Sequence, residues 1–209
     1  MQYSQRSRTG RKAKKKLARF LFWLNGLYPK KPEQQVRFFC MDESRFGLKG
    51  VRRRKITLRG VKPIGQYCWR FEYFYAYGAV EPTTGESYYW IFNTLDGKCF
   101  EGYLQKLSEA YAESFLVLLL DNSGCHKAKG LQIPENIFLL FQPAYSPELN
   151  PIERVWEYLK SKLSWKMFKD LKELEDKVCE LMVNTTNEVI ASLSGYPWIL
   201  DSLKRAGIS

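Results

Sequence analysis

Three acidic residues, Asp42, Asp121 and Glu153, lie where the sequence predicts three separate secondary-structure elements. Asp42 follows the mostly apolar run 36–41, and Asp121 ends the wholly apolar run 115–120. Both runs predict strands, and each delivers an aspartate at or near its C-terminal end. Three carboxylates on three elements supply the hard oxygen ligands that a divalent-metal phosphodiester site needs.

The third acid lies in the first turn of a predicted helix. Asn150 is a favoured N-cap and Pro151 suits the first helical position, which puts Glu153 at the third. Asn150 and Glu153 could instead form only a capping box. Asp121, followed by Asn-Ser-Gly, could be only a strand-ending turn, and Asp42 only a solvated strand end. The metal-site interpretation rests on their combination.

Two basic segments suggest a polyanionic partner. Residues 1–31 contain ten Lys or Arg and residues 44–71 contain nine, and neither segment contains an acid. The chain has 33 basic and 22 acidic residues, so the remainder carries 14 basic and 22 acidic residues, a net charge of −8. Concentrated positive charge on an otherwise acidic body favours nucleic acid as the partner, with a solubilising tail and a solvated loop as the alternative.

The composition narrows the class of protein. At 209 residues and 45% hydrophobic content, the chain is expected to fold around one substantial core. It has no apolar run of about 18 residues and no signal-peptide pattern, so we expect no membrane contact. Five widely spaced cysteines form no CxxC pair, which indicates neither a zinc site nor a disulfide framework and fits a reducing cytoplasm.

The predicted elements favour one α/β domain preceded by a short arm. We predict a basic arm and an amphipathic helix over 1–35, and a single domain over 36–209. Strands are predicted at 36–41, 71–80, 87–93, 115–120 and 137–141, and helices at 98–112, 151–163, 170–193 and 197–203. A meander followed by strands that alternate with helices indicates a mixed five-stranded sheet flanked by helices.

The acidic blocks resemble the DDE motif of transposases, most closely the insertion-sequence branch of the mariner-like superfamily. The resemblance rests on Met-Asp-Glu-Ser around Asp42, LLLDNSGCH around Asp121 and SPELNPIERVW around Glu153. It extends over nearly all of 36–200 and implies a ribonuclease-H-like fold. It also implies a catalytic domain for metal-dependent phosphodiester cleavage and strand transfer at insertion-sequence ends.

Two features depart from the family pattern. The family usually has slightly more than the 31 residues that separate Asp121 from Glu153. Complete members also carry helix-turn-helix domains before the catalytic domain, where this chain has the segment 1–35. We therefore expect a catalytic half of a split transposase, or a truncated remnant that binds DNA without transposing, as the alternative to a protein active alone.

The resemblance implies a two-metal mechanism that uses Mg²⁺, with Mn²⁺ as a substitute. Asp42 would bridge both ions, and Asp121 and Glu153 would each hold mainly one. Two ions about 3.5–4 Å apart would clamp the attacking and leaving oxygens. Water would first free a 3′ hydroxyl, which would then attack target DNA, typically at a TA dinucleotide. No covalent protein intermediate is required.

Other residues are expected to support this site. Asn122 and His126, the only histidine, are predicted to support the acids or contact phosphate, although a lone histidine is often only structural. Glu157 could support Glu153 from one turn along the helix, and Trp156 is predicted to be core. Phosphate contacts are predicted for Arg52, Arg53, Arg54, Lys55, Lys12, Lys14, Lys15 and Lys16.

Three functions remain open from sequence. The first is an active DDE recombinase that acts on double-stranded DNA, as a homodimer or larger synaptic complex, with a separate end-binding helix-turn-helix polypeptide as a further partner. The second is the DNA-binding remnant. The third is a nuclease that cuts RNA–DNA hybrids, which the Asn-Pro-Ile-Glu block disfavours. In each case we expect a cytoplasmic protein, associated with the nucleoid when DNA is bound.

Overall fold

A computed structural model of the chain describes residues 34–49, 57–61, 69–128, 130–142 and 147–208. The predicted arm and amphipathic helix lie almost entirely outside these residues. The eight predicted phosphate-contacting residues also lie outside them: Lys12, Lys14, Lys15, Lys16, Arg52, Arg53, Arg54 and Lys55. Their predicted roles therefore stay predictions.

Five strands form one mixed sheet, as predicted. They are β1 (Gln35–Gly47), β2 (Tyr73–Val80), β3 (Ser87–Phe92), β4 (Ser114–Leu120) and β5 (Ile137–Phe141). Their order across the sheet is β3-β2-β1-β4-β5. The meander β1–β2–β3 is antiparallel, whereas β1, β4 and β5 are parallel. The central strand β1 therefore joins the two kinds of pairing.

Helices cover both faces of the sheet. They are α1 (Gly97–Ala110), α2 (Ile152–Leu163), α3 (Leu171–Asn184), α4 (Asn187–Ser194) and α5 (Pro197–Ala206). The single helix predicted over 170–193 is wrong, because Thr185 and Thr186 adopt extended backbone and divide it into α3 and α4. β-branched threonines are poor helix formers, and their hydroxyls favour helix ends.

The first strand is longer than predicted. The prediction ended it at Met41, where the continuous apolar run stops, but the strand continues to Gly47. Residues 40–47 pair with β2 after the parallel pairing with β4 has ended at Cys40. Asp42 therefore lies within β1, just beyond its parallel ladder, and not at the end of the strand.

Two apolar cores lie on the two faces of the sheet. On one face Phe39 and Met41 pack with Phe100 and Leu104 of α1. On the other face alternate β1 residues, including Phe38 and Cys40, pack with the helices α2 to α5. Because successive strand residues point to opposite faces, Asp42 lies on the α2 face and Glu43 on the α1 face.

A buried ion pair holds the end of the sheet that lies far from Asp42. The Arg37 guanidinium on β1 donates to Glu81 (Nε–Oε1, 3.0 Å) and also to Glu86, at the two ends of the turn between β2 and β3. The Arg37 guanidinium also lies 4.8 Å from the Tyr111 ring centroid. These contacts hold the turn between β2 and β3 against β1 and so support the register of the sheet.

None of the helices in the described part of the chain has the length and apolar character that crossing a bilayer requires.

Candidate active site

The strand register brings two of the predicted acids together. The parallel pairing of β1 with β4 places Cys40 beside Leu119. Continuing this register by two residues places Asp42 beside Asp121, just after β4 ends. Glu153 lies in the first turn of α2, which packs on the same face of β1 as Asp42. The fold therefore gathers three carboxylates from three elements at one place.

The pKa of Asp42 reflects its burial and the negative charges around it. Burial is the largest influence, and it raises the pKa of Asp42 well above its usual range. The negative charges of Glu153, Glu43 and Asp121 raise it further. A carboxyl that is largely buried near three other acids is poorly stabilised as an anion unless a cation is present.

Glu153 experiences a weaker form of the same effect. Burial raises the pKa of Glu153; the positive charge of Lys160 opposes this rise, and Glu157 and Asp121 add to it. Because hard cations bind deprotonated carboxylates, a divalent ion would compete with protons at Asp42 and Glu153. We therefore expect its affinity to increase with pH until both carboxyls are ionised.

Asn150 fastens the start of α2 to the acid-bearing strand. Its side-chain Nδ2 donates a buried hydrogen bond of 2.8 Å to the Met41 carbonyl, directly before Asp42. The prediction that Asn150 caps the helix with its side chain is wrong, because Oδ1 accepts no hydrogen bond in the described structure. The Asn150 backbone carbonyl accepts from the Glu153 N–H instead. The amide thus ties β1 to α2 and the capping box does not form.

A close approach between α2 and β2 gives the helix a second fixed point. Gly78 lies opposite Asp42 in the register of β1 with β2. A Cβ at Gly78 would come within 2.6 Å of the Trp156 indole, so only glycine leaves room for this ring. Trp156 is 2% exposed and belongs to the core, as predicted. Trp156 lies one turn after Glu153, so its contact with Gly78 sets how closely this part of α2 packs on the sheet.

Asp121 is held by local contacts and remains accessible. Its Oδ1 accepts from the Ser123 N–H at 2.8 Å, which is the strand-ending turn considered from sequence. The same oxygen lies 3.0 Å from Nδ1 of His126, and 54% of the side chain is exposed. The turn and an accessible carboxylate therefore coexist, and the turn orients the acid.

His126 links Asp121 to an acid on β1. Its Nε2 lies 2.8 Å from Oε1 of Glu43, and both side chains are almost fully buried. The ring also packs on Phe100 of α1, with 4.5 Å between centroids. Both ring nitrogens donate when the imidazole is protonated, so a charged His126 satisfies Glu43 and Asp121 together. Glu43 itself was missed as a site residue.

The charge on His126 follows from this geometry. Burial alone would lower its pKa, but the hydrogen bonds to Cys125 and Glu43, together with the charge of Glu43, outweigh burial. The pKa of His126 is raised to about 10. The imidazolium is therefore the positive charge that stands between the acids of β1 and β4.

Other predicted residues take less direct positions. The Asn122 side chain donates to the Gln142 carbonyl and accepts from Lys127, so it joins the ends of β4 and β5. Glu157 is exposed and close enough to affect Glu153. Glu43, Cys125 and His126 have ligand atoms within 4.8 Å of one another. The ion pair between Glu43 and His126 is sufficient to explain why these three side chains lie close together.

We predict that Asn150→Ala weakens both the fold and the metal response. The variant leaves the Met41 carbonyl without its buried partner, which costs about 1–3 kcal/mol in unfolding free energy. Since Glu153 is no longer held beside Asp42, the rise in melting temperature that Mn²⁺ produces should shrink. Urea unfolding and thermal melts with and without Mn²⁺ measure the two effects.

Asn136→Ala is the matched control. Asn136 also donates to backbone carbonyls, those of Tyr111 and Ser114, but at the opposite end of the sheet. It should lose stability and keep the Mn²⁺ response. Equal Mn²⁺ responses in the two variants would contradict a positioning role for Asn150.

We predict that His126 stays protonated through neutral pH and that Glu43→Gln lowers its pKa. The chain has one histidine, so the imidazole NMR signals of metal-free protein identify it directly. In the wild type the signals should not titrate between pH 6 and 8. In the variant they should titrate there or below, because burial remains and the anion is lost. The variant should also lower the free energy of unfolding, because the buried imidazole loses its anionic partner and must either stay charged without it or give up its proton.

The sign of the pH dependence follows from the raised pKa. The stabilisation is complete below the unfolded-state value of about 6.5 and disappears as pH rises toward about 10. Glu72→Gln, which removes a half-exposed acid at the start of β2, should leave the titration of His126 unchanged. A wild-type midpoint near 6.5 would refute the ion pair.

Comparisons with known proteins place this site in a family. Residues 37–175, more than half of the chain, match the model of the DDE superfamily endonucleases. An uncharacterized protein of Sinorhizobium fredii, y4pE/y4sA, is 34% identical over 107 residues, which is 50% of this chain and 79% of that protein. An insertion element IS630 protein of 39 kDa from Shigella sonnei is 27% identical over 120 residues, 51% of this chain and 35% of that protein.

Solved structures of similar fold come from the Mos1 mariner transposase. The paired-end complex with Mn has a TM-score of 0.64 at 15% identity, covering 93% of this chain and 59% of that chain. The paired-end complex with the left transposon end has a TM-score of 0.63 at 14% identity and the same coverage of this chain. This chain therefore spans about 60% of the Mos1 chain.

These likenesses confirm the predicted fold class and family. The mixed five-stranded sheet with helices on both faces matches the ribonuclease-H-like catalytic fold of Mos1. The matched region includes Asp42, Asp121 and Glu153. The chain belongs to the DDE superfamily of endonucleases.

Proposed function

We propose that this chain is the catalytic domain of a DNA transposase that cleaves phosphodiester bonds and transfers strands at insertion-element ends. The observation that carries this proposal is that Asp42 lies close to Asp121 and Glu153. The charges of those two acids raise the pKa of Asp42. The family match and the likeness to the IS630 protein support it. We further propose 36–209 as the catalytic domain and 1–35 as a separate basic arm.

The donor set of the site fits Mg²⁺ or Mn²⁺. Carboxylate oxygens are the ligands that these hard ions prefer, and a divalent cation would offset the repulsion among the three acids. Two ions held here would polarise the scissile phosphate and stabilise charge on the attacking and leaving oxygens. Asp42, whose pKa is raised by the charges of both Glu153 and Asp121, is the proposed shared ligand.

The protein's own groups prepare these ligands. His126 directs Nδ1 at Asp121 and so orients that carboxylate. The Ser123 N–H fixes the same oxygen from the backbone. Glu153 lies in the first turn of α2, where the positive end of the helix dipole partly offsets the effect of burial on its anion.

Double-stranded DNA is the proposed partner, both as element ends and as target. The similar Mos1 structures are a paired-end complex and a strand transfer complex, and the basic segments 1–31 and 44–71 of this chain offer positive charge for phosphates. We also propose a homodimer or larger synaptic complex, a separate end-binding helix-turn-helix polypeptide, and a cytoplasmic location with nucleoid association.

We predict metal-dependent nicking of supercoiled plasmid by the wild-type chain. Asp121→Asn and Glu153→Gln should each reduce nicking by more than the roughly 10–100-fold that loss of a supporting residue costs. Each variant removes a carboxylate charge with little change of shape. Agarose-gel nicking assays with Mg²⁺, Mn²⁺ or EDTA measure the effect.

Glu157→Gln is the matched control, since it changes the same residue type one turn along the same helix. It should keep nicking within a few-fold of the wild type. Salt-sensitive DNA binding without any nicking would instead indicate the non-transposing remnant or a half that needs its partner. Preferential cutting of an RNA–DNA hybrid over duplex DNA would indicate the hybrid nuclease.

A further inference from the structure

A second concave surface lies beyond the C-terminal half of α2. It is a cleft of about 250 Å³ between the end of β1, the start of β2 and the segment after α2. We call it the basic aromatic cleft. Its cations are Arg45, Lys49, Arg70, Lys160 and Lys166, and its one acid is Glu72.

The charge of the cleft is unbalanced. Five cations and one acid line it, and that acid lies 3.8 Å from Arg70. Clustered like charges repel one another. A polyanion would relieve the repulsion, which indicates a phosphate-bearing ligand.

Aromatic rings distinguish the cleft from a simple phosphate site. Phe71 is 72% exposed and Tyr73 is 43% exposed. Cations lie against the rings: Lys49 Nζ is 5.6 Å from the Phe71 centroid, and the Arg45 guanidinium carbon is 5.0 Å from that of Tyr73. Exposed rings alternating with cations are the arrangement on which single-stranded nucleic acid stacks its bases and rests its backbone.

The geometry favours an unpaired strand over a duplex. In a duplex the faces of the bases stack on one another and are not available to protein rings. The small volume of the cleft suits one base with its sugar. Duplex phosphates alone would need the cations and not an exposed Phe71.

The cleft is within reach of the three acids along two elements. Phe46, which lines the cleft, lies four residues after Asp42 on the same face of β1, and this separation is about 13 Å at strand spacing. Lys160 lies seven residues after Glu153 on α2, which is about 10 Å at helical rise. Lys160 Nζ lies 5.4 Å from the Phe46 ring centroid, so the two elements stay together up to the cleft. A strand held at the acids can therefore continue into it.

We propose that the basic aromatic cleft binds an unpaired DNA strand leading from the scissile phosphate, with one base stacked on Phe71 and phosphates on Lys160 and Lys166. This inference rests on the proposed function, because it takes DNA as the substrate. It adds a subsite that prefers locally unpaired DNA next to the bond that is cut.

The test compares two DNA probes with the full chain in EDTA, so that no cleavage occurs. One probe is a fluorescent blunt duplex, and the other is the same duplex with a five-nucleotide unpaired extension. The wild type should bind the extended probe more tightly. Phe71→Ala should weaken binding of the extended probe about 5- to 100-fold and change blunt-duplex binding by less than about twofold.

Two further variants separate stacking from folding. Phe71→Trp keeps a stacking surface and should retain binding of the extended probe. Trp90→Ala removes a 42%-exposed aromatic from edge strand β3 and should leave both probes unaffected. A quench of 2-aminopurine in the extension, present in the wild type and absent in Phe71→Ala, reports the stacked base directly.

The outcomes distinguish this inference from the proposed function. Equal binding of the two probes by the wild type, or Phe71→Ala that binds the extended probe as the wild type does, would overturn the cleft while plasmid nicking could persist. Loss of binding to both probes in Phe71→Ala would also overturn it. Absence of nicking with the probe preference intact would overturn the proposed function and leave the cleft standing.

Discussion

The carboxylates of Asp42, Asp121 and Glu153 repel one another, and the surrounding fold holds them together against this repulsion. An ionised carboxylate is most stable in water. Partial burial beside other anions therefore costs free energy at this site. The fold brings the three carboxylates together through long-range contacts. The parallel pairing of β1 with β4 positions the two aspartates, and the buried bond from Asn150 to Met41 positions the helix that carries Glu153. Stability is thus lost at the site where we propose that a divalent cation binds.

The supporting layer behind the acids is built from charge as well as packing. On the α1 face, His126 and Glu43 form a buried ion pair that reaches Asp121. On the α2 face, Gly78 admits the Trp156 indole against β2. The His126–Glu43 pair orients Asp121. The Gly78–Trp156 contact sets how closely α2 packs on the sheet. Both sets of contacts affect where the three carboxylates lie relative to one another. We therefore expect mutations at these supporting residues to alter metal binding.

The parts that could be predicted from sequence are those with local causes. Apolar runs predicted the five strands, and residue order with the family motif predicted the three acids. The extension of β1 to Gly47 could not be predicted, because it depends on pairing with β2 and not on apolar content. The same holds for Asn150 and Glu43, whose partners lie 109 and 83 residues away. Strand alternation puts Glu43 on the face opposite Asp42, but only the fold brings His126 to Glu43.

The most direct test of the central claim is to locate the ions. Crystals of the wild-type chain soaked in Mn²⁺ would be measured for anomalous scattering. We predict two manganese peaks in contact with the carboxylates of Asp42, Asp121 and Glu153. Manganese bound only by Glu43, Cys125 and His126, or no peak at the three acids, would contradict it.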